Sequence, residues 1–505
     1  MAYARGGKRR EARICRAIVT AGAVAVAIAF GSCRKIPPSH ADDSSRSLRV
    51  GTARLSATNP IGGLRQLSQL LTVEGLVRVG EGGRLEPVLA EKWSVLNGGR
   101  SLLLTLRSGV HFHDGSVFDS NTVARLLPDG LKSFWGSLAD NVERINPVDA
   151  RTIEIVFRRP SPLWQEMLEV TIRKPGSSIV GTGPFMVSEN EASLRANADY
   201  YLGSPRINEV QVTSFPTVRA AWAELLRNRI DMLWEVGTDA LDSLQSSTTV
   251  AVFAYTRHYQ YVLAFNPRTS ALQSSEVRRA LNMAVDRATL VQQALNGHGV
   301  PSSGPIWPRY WALPTPVATA EFNPARAAQI LNGAHRPRGA IRFTCLIPAD
   351  AIYERLALEV RRQFQAVGVE MDVQGMPPDQ LFEAERTRKF DAVLIDFVSG
   401  PTILRVSSLW DSRAEGNPGG FGNHTIDSAF DHVSQAENET TYRQAVSSLQ
   451  QAFIDDPPAI FLAWSERARA ISKRFAVPAP EAGRDVLLTL RLWTPRNGER
   501  IASRN

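Results

Sequence analysis

Ile179–Tyr201 reads IVGTGPFMVSENEASLRANADYY. Gly181, Thr182 and Gly183 are followed by Pro184, and Phe185, Val187, Leu194 and Tyr200 then supply the apolar positions of two short strands. Glycine tolerates backbone angles that other residues avoid and proline fixes its own, so the segment reads as a tight turn that sends the chain back into a sheet. Arg195, Asn197 and the pair Tyr200-Tyr201 complete it.

N-terminal to this turn, Leu48 and Val50 alternate with polar residues as a strand does, and Leu64–Leu71 follows as a short helix. Leu85–Val123 then offers three hairpin strands separated by the turn signals Asn97-Gly98-Gly99 and Asp114-Gly115. His111 and His113 would share one side of a strand that Asp114 adjoins, but a metal site needs further ligands and nothing local supplies them, so this strand end reads as structural. From there to Gly181 lies a small α+β segment with a helix over 120–131, a strand over 152–157 and a helix around 163–170.

C-terminal to Tyr201 come a strand over 209–215, a helix over 218–227, the turn Asn228–Asp231 and a further helix near 239–244. YQYVLAFN at 259–266 is an uninterrupted apolar strand, and Ser274–Leu295 follows with apolar residues at helical spacing. Asp286 and Arg287 are neighbours on that helix and face apart, which suits capping or an inter-element salt bridge rather than acid-base chemistry. The helix after Asn323-Pro324, the strands at 341–347, 369–373 and 391–397 and the helices at 352–366 and 378–387 form repeated α/β units. A helix over 441–454 precedes a second apolar strand, Pro458–Trp464.

A chain of 505 residues exceeds what one core usually serves, so two or more lobes are expected. The formal net charge of +8 is misleading about partners, because Arg5, Lys8, Arg9, Arg10, Arg13 and Arg16 all precede Ala17. Cut before Cys33, the chain keeps only +3, too little to argue for nucleic acid. The basic head, the apolar run Ala17–Phe30 and the small residues after it have the order of a secretory signal, and the run is shorter than the roughly 20 residues that span a bilayer. Gly31-Ser32-Cys33 resembles a lipobox, with Phe30 in place of the usual Leu, and makes Cys33 the candidate lipidated residue; the competing cut follows Ala41. Lipidation of Cys33 and removal of Cys15 leave Cys345 alone, without a disulfide. No GxxxxGK[ST], HExxH, CxxC or GxSxG motif occurs.

Gly181–Phe185 with Arg195, Asn197, Tyr200 and Tyr201 resembles the GTGPY...RN..Y segment of the family 5 extracellular solute-binding proteins, the peptide and nickel receptors of ABC importers. Pro87, Leu89-Ala90, Trp93, Leu106-Arg107, Gly109, Phe112 and Asp114-Gly115 are similar to that family's first-lobe signature, and Val277, Arg278, Ala280, Leu281, Ala284, Asp286 and Arg287 to a helical one. Phe390-Asp391, Asn423, Asp427 and Asp456-Pro457 echo its later motifs, so the likeness runs from about Leu48 to Lys473.

The resemblance implies an α/β, bilobal periplasmic-binding-protein-like fold of type II, cluster C, with a reduced extra domain in the first lobe. Its expected parts are a signal peptide (1–32), a tether (33–47), lobe I (48–258, with a small domain inserted at about 116–180), lobe II (259–464) and a C-terminal return to lobe I (465–505). The strands 259–266 and 458–464 should lie side by side as the hinge. Implied with it are a monomeric, non-enzymatic receptor without cofactor or metal, held at the periplasmic or outer face by its lipid, that closes over a peptide-like solute and delivers it to a permease and ATPase. The other readings are a secreted hydrolase or metal enzyme, and a tethered sensor or chaperone.

Tyr259, Tyr261, Asp396, Phe397, Trp410 and Asn423 are the candidates to line the cleft, since they fall at strand ends or loops near the crossover. In peptide-binding relatives the strand after the Phe-Asp pair leads to Gly-Trp and then to an aspartate that holds the ligand's α-ammonium. Here the same register gives Asp396-Phe397 and Gly400 without the later carboxylate. Either Asp396 takes that role or the ligand is not a peptide with a free amino terminus.

Overall fold

A computed structural model describes residues 46–53, 62–174, 180–188, 193–237, 241, 244, 246–333, 341–480 and 483–496; the signal segment, Cys33 and most of the expected helix at 239–244 lie outside them. Among the described residues eleven strands join one mixed sheet. At one end Ser47–Ala53 pairs in parallel with Glu209–Phe215 and Met232–Val236. At the other Ile341–Pro348 pairs in parallel with Val369–Met376 and Ala392–Val398. Parallel neighbours need crossovers. The amphipathic helices Val218–Leu226, Ala351–Gln365 and Pro378–Thr387 lie in such connections.

Between these parallel groups run two long antiparallel strands, Val250–Phe265 and Ala459–Ser472, far longer than the apolar runs that announce them. Each serves several cores. Val250, Ala468 and Ala470 pack with Leu225 and Leu233, and Ile471 with Leu48 and Val50. Tyr261, Leu263, Phe265, Ile460 and Leu462 pack instead with Leu281, Leu356, Val360 and Leu394. The result is a bilobal α/β protein whose cores are strung on one pair of strands, with Val262, Ala264, Ala459, Phe461 and Trp464 of the same strands entering a further core that also holds Leu102, Ile153 and Trp410. Val486, Leu487, Leu490 and Trp493 return to the core of Leu48, Val50 and Ile471.

The GTG turn has a packing reason. A Cβ on Gly181 would lie 2.2 Å from the Thr72 carbonyl oxygen and one on Gly183 would lie 2.4 Å from that of Leu71, so only glycine lets the turn lie against this backbone. Thr182 donates to Glu74 Oε2 at 2.8 Å, while Tyr200 and Tyr201 donate to Oε1 at 2.7 and 3.0 Å. Burial raises the Glu74 carboxyl above its ordinary pKa against the pull of these hydroxyls. The residues that carry the motif therefore converge on one buried acid and hold the turn to Glu74–Gly75.

Ala90–Leu96, Ser101–Leu106, Thr152–Phe157 and Val142–Asp149 form a separate four-stranded antiparallel sheet, covered by the helix Ser120–Trp135. The expected third hairpin strand is absent: Gly109 and Gly115 take positive φ, and only a single bridge, His111 to Val117, remains. His113 faces the GTG turn, with Nε2 3.0 Å from the Gly183 carbonyl oxygen. The helix read over 274–295 is two, Ser275–Met283, which ends at its C-cap Ala284, and Arg287–Leu295, which Asp286 caps by accepting from the Thr289 amide at 3.0 Å. Among the described residues Arg287 makes no inter-element salt bridge. It is buried and donates to the carbonyls of Phe461, Asn282 and Val285.

The segment Pro162–Glu169 is a 3-10 helix that docks on the helix Ile403–Trp410. Glu166 accepts from the Leu404 amide at 3.0 Å and from Tyr310 Oη at 2.6 Å, and Tyr310 Oη lies 2.8 Å from Tyr442 Oη. Nearby, Glu169 pairs with Arg405 at 2.7 Å.

Candidate functional site

The pairing of the two long strands runs from Val250 opposite Ser472 to Thr256 opposite Glu466, and resumes with Gln260 opposite Trp464. Arg257, His258 and Tyr259 thus stand opposite Ser465 alone, a bulge between the cores of Val250 and Tyr261. Bulges re-aim side chains and locally loosen a ladder. The strand Ala392–Val398 flanks this point, setting Tyr259, Gln260 and Tyr261 opposite Val398, Phe397 and Asp396.

On one side of the sheet a polar chain crosses this junction. Tyr353, in the first turn of Ala351–Gln365, donates to Asp396 Oδ1 at 2.6 Å, and its ring meets that of Tyr261 edge-on at 5.8 Å. Arg257 Nη1 is 3.9 Å from Asp396 Oδ2, and its guanidinium lies 3.8 Å from the centre of the Tyr259 ring. Tyr261 Oη accepts from Arg467 Nη2 at 3.0 Å, and Arg467 Nε donates to Glu235 at 2.5 Å. Burial alone would depress the Arg467 guanidinium, but Tyr261 and Glu235 hold it above its ordinary value. Two residues along, Arg469 pairs with Asp485 and lies 3.9 Å from the centre of the Trp234 ring.

Nearby, His258 meets Trp307 edge-on at 5.0 Å, Trp307 meets Trp464 at 4.7 Å, and Glu81 lies 3.5 Å from His258 and 2.7 Å from Arg309. The amides of Ser399 and Gly400 donate to the His258 carbonyl at 3.0 and 3.3 Å, which ties the loop after Val398 to the bulge. The hydroxyls of Ser399 and Ser465 and the indole nitrogen of Trp464 are buried without a hydrogen-bond partner among the described residues. Such orphaned donors are costly in a finished core and are concentrated around this junction.

Of the residues picked out in the sequence, Tyr259, Tyr261, Asp396 and Phe397 are assembled on these paired strands. Trp410 is 2% exposed and packs behind Phe397 against Phe453 and Phe461. Asn423 caps the helix His424–Gln435 through the Thr425 amide at 2.7 Å and also bonds Asp456. Arg257, Tyr353, Arg467 and Glu235 were not picked out. The alternation of Arg467 and Arg469 in a buried strand was their one local signal. Two surface hollows of ≈ 470 and ≈ 640 Å³, one along His432–Ser448 and one between Asn266 and Asp391, are lined by none of the junction's side chains.

Residues 84–411 match the model of the bacterial extracellular solute-binding proteins, family 5. The chain belongs to this family. Among similar family 5 proteins, the oligopeptide-binding protein AppA of Bacillus subtilis is 22% identical over 74% of this chain and 77% of its own length. The glutathione-binding protein GsiB of Pectobacterium atrosepticum is 23% identical, over 79% and 84%. Among solved structures, NikZ of Campylobacter jejuni in complex with Ni(L-His) superposes with a TM-score of 0.76 at 20% identity, covering 89% of this chain and 99% of that one. This family 5 protein therefore has the fold that its sequence motifs imply, and it is a solute-binding protein.

Proposed function

We propose that the chain is the capture subunit of an ABC importer for a peptide-like solute. The observation that carries this reading is the strand pair that feeds several cores and loses its ladder at Arg257–Tyr259. A break in pairing is a place where a strand pair can bend more readily than along a continuous ladder. Closure would bring the Asp396–Gly400 segment and the bulge around the solute, with binding energy favouring the closed form that docks on a permease. In this reading 48–258 and 465–505 make one lobe, 259–464 the other, and about 116–180 is an insertion in the first. Peptide chemistry is favoured because AppA and GsiB, matched over 77% and 84% of their own length, are named for an oligopeptide and for glutathione.

The receptor works as a monomer without turnover, and Cys33 ties it by lipid to the outer face of the membrane. X-ray scattering of the purified mature chain, with and without a saturating peptide mixture, tests the mechanism. The expected result is a smaller radius of gyration with ligand and stoichiometric binding of unhydrolysed peptide. Identical curves at saturation would remove hinge closure, and release of cleaved product would replace the receptor by a hydrolase.

A further inference from the structure

We propose that Arg257 is the subsite for a carboxylate of the captured solute; this rests on the reading of the chain as a receptor for peptide-like molecules. Three arginines line this side of the junction, and two are already committed. Arg469 spends its guanidinium on both oxygens of Asp485 and on the Trp234 carbonyl. Arg467 spends its own on Glu235, Tyr261 and the Glu466 carbonyl. Among the described residues the Arg257 side chain makes no hydrogen bond. Its ion pair is a loose 3.9 Å contact to Asp396 Oδ2, and it rests over the Tyr259 ring.

The ring contact restrains the guanidinium but uses none of its five N–H donors, which lie in the guanidinium plane and suit a carboxylate fork. Its side chain is 25% exposed, so a solute can reach it. Arg467 and Arg469 are paired with Glu235 and Asp485, which leaves Arg257 with only its loose contact to Asp396. Asp396 is correspondingly ill placed to hold an ammonium. One of its oxygens is taken by Tyr353 at 2.6 Å, and a cation brought to the other would meet Arg257. Arg257 therefore offers the open valence here, and the solute it selects is anionic at that end.

The probes are a mixture of tripeptides of random sequence with free C-terminal carboxylates and the same mixture as C-terminal amides, each titrated calorimetrically into the full mature chain, with captured species identified by mass spectrometry. The wild type should bind the carboxylate mixture at least tenfold more tightly than the amides. Arg257→Gln should lose that preference by weakening only the carboxylate arm, and Arg257→Lys, which keeps the charge without the fork, should fall between. Equal binding of both mixtures by the wild type, or an unchanged preference in Arg257→Gln, overturns the subsite and leaves the receptor standing. Binding of neither mixture overturns the peptide-like reading and the subsite with it. Should Arg257→Gln fail to fold, as judged by its circular dichroism, the wild-type preference between the two mixtures decides.

Discussion

Tyr353 donates its hydroxyl proton to Asp396 Oδ1 across 2.6 Å, joining the first turn of a second-lobe helix to the strand that faces the bulge. Burial first, and then the negative Asp396, hold this hydroxyl well above the ordinary tyrosine pKa, so it remains a donor at every working pH. Tyr353→Phe keeps the ring and removes the donor to a charged acceptor, an interaction of about 1.5–3 kcal/mol. Chemical denaturation should show a loss in that range with an unchanged m-value. Asp396→Asn can still accept from Tyr353 but no longer competes for Arg257. At a partly exposed 3.9 Å pair this is worth less than about 1 kcal/mol, so binding of the carboxylate mixture should tighten roughly two- to fivefold. A tenfold loss instead would put a ligand cation on Asp396.

Gly181→Ala tests why the motif contains glycine. The added methyl would lie 2.2 Å from the Thr72 carbonyl oxygen, which is backbone and cannot swing aside. Overpacking of this kind costs roughly 1–3 kcal/mol or more, whereas Gly203→Ala, with nothing within 4 Å but a φ of +91°, carries only the backbone term. Melting temperatures should rank wild type above Gly203→Ala above Gly181→Ala. Equal losses in the two variants would show that backbone angle, not the close approach, decides.

Much of the architecture was legible because its signals are local. Alternation and helical spacing put the strands at 152–157 and 209–215 and the helix at 378–387 within a residue of where they lie. The junction was half legible. Tyr259, Tyr261, Asp396 and Phe397 end or adjoin apolar runs, so the same spacing found them. Tyr353 reads as one more residue of an amphipathic helix, and Arg467 bonds Tyr261 and Glu235 across 206 and 232 residues of chain, distances at which no spacing rule operates. Trp410 shows the converse, since a core tryptophan and a cleft tryptophan look alike in a sequence. Asn423 did carry a readable local signal. It immediately precedes the helical pattern from His424, the place where asparagine caps.

Cys33 should be the first residue of the mature chain, carrying a diacylglyceryl thioether, because Gly31-Ser32 follows an apolar run too short to anchor the protein itself. Mass spectrometry of protein extracted from membranes reads this directly, and Cys33→Ser should move the protein to the soluble fraction. A mature chain beginning at Asp42 would instead support cleavage after Ala41.

Glu166 should make stability fall as pH rises. Its carboxyl is wholly buried, and burial pushes its pKa up to about 8 despite the hydrogen bonds from Tyr310 and the Leu404 amide. The other charges at this contact are Glu169 and Arg405, which pair with each other at 2.7 Å. A folded-state pKa above the ordinary 4.5 means that the folded protein holds a proton the unfolded chain releases. The associated stability is complete below about pH 4.5 and is lost progressively as pH rises through about 8. Full realisation of the shift would amount to at most about 5 kcal/mol. Glu166→Gln copies the protonated form: its carboxamide oxygen can accept from Leu404 and its NH₂ can donate to the Tyr310 oxygen. The variant should therefore match the wild type near pH 5 and exceed it near pH 8.5, with the wild type's downward slope between those values flattened. Urea denaturation at both pH values measures the difference. Parallel stability profiles for the two proteins would show that Glu166 is ionised in its site, held there by the N-terminal amides of Ile403–Trp410 and by Tyr310.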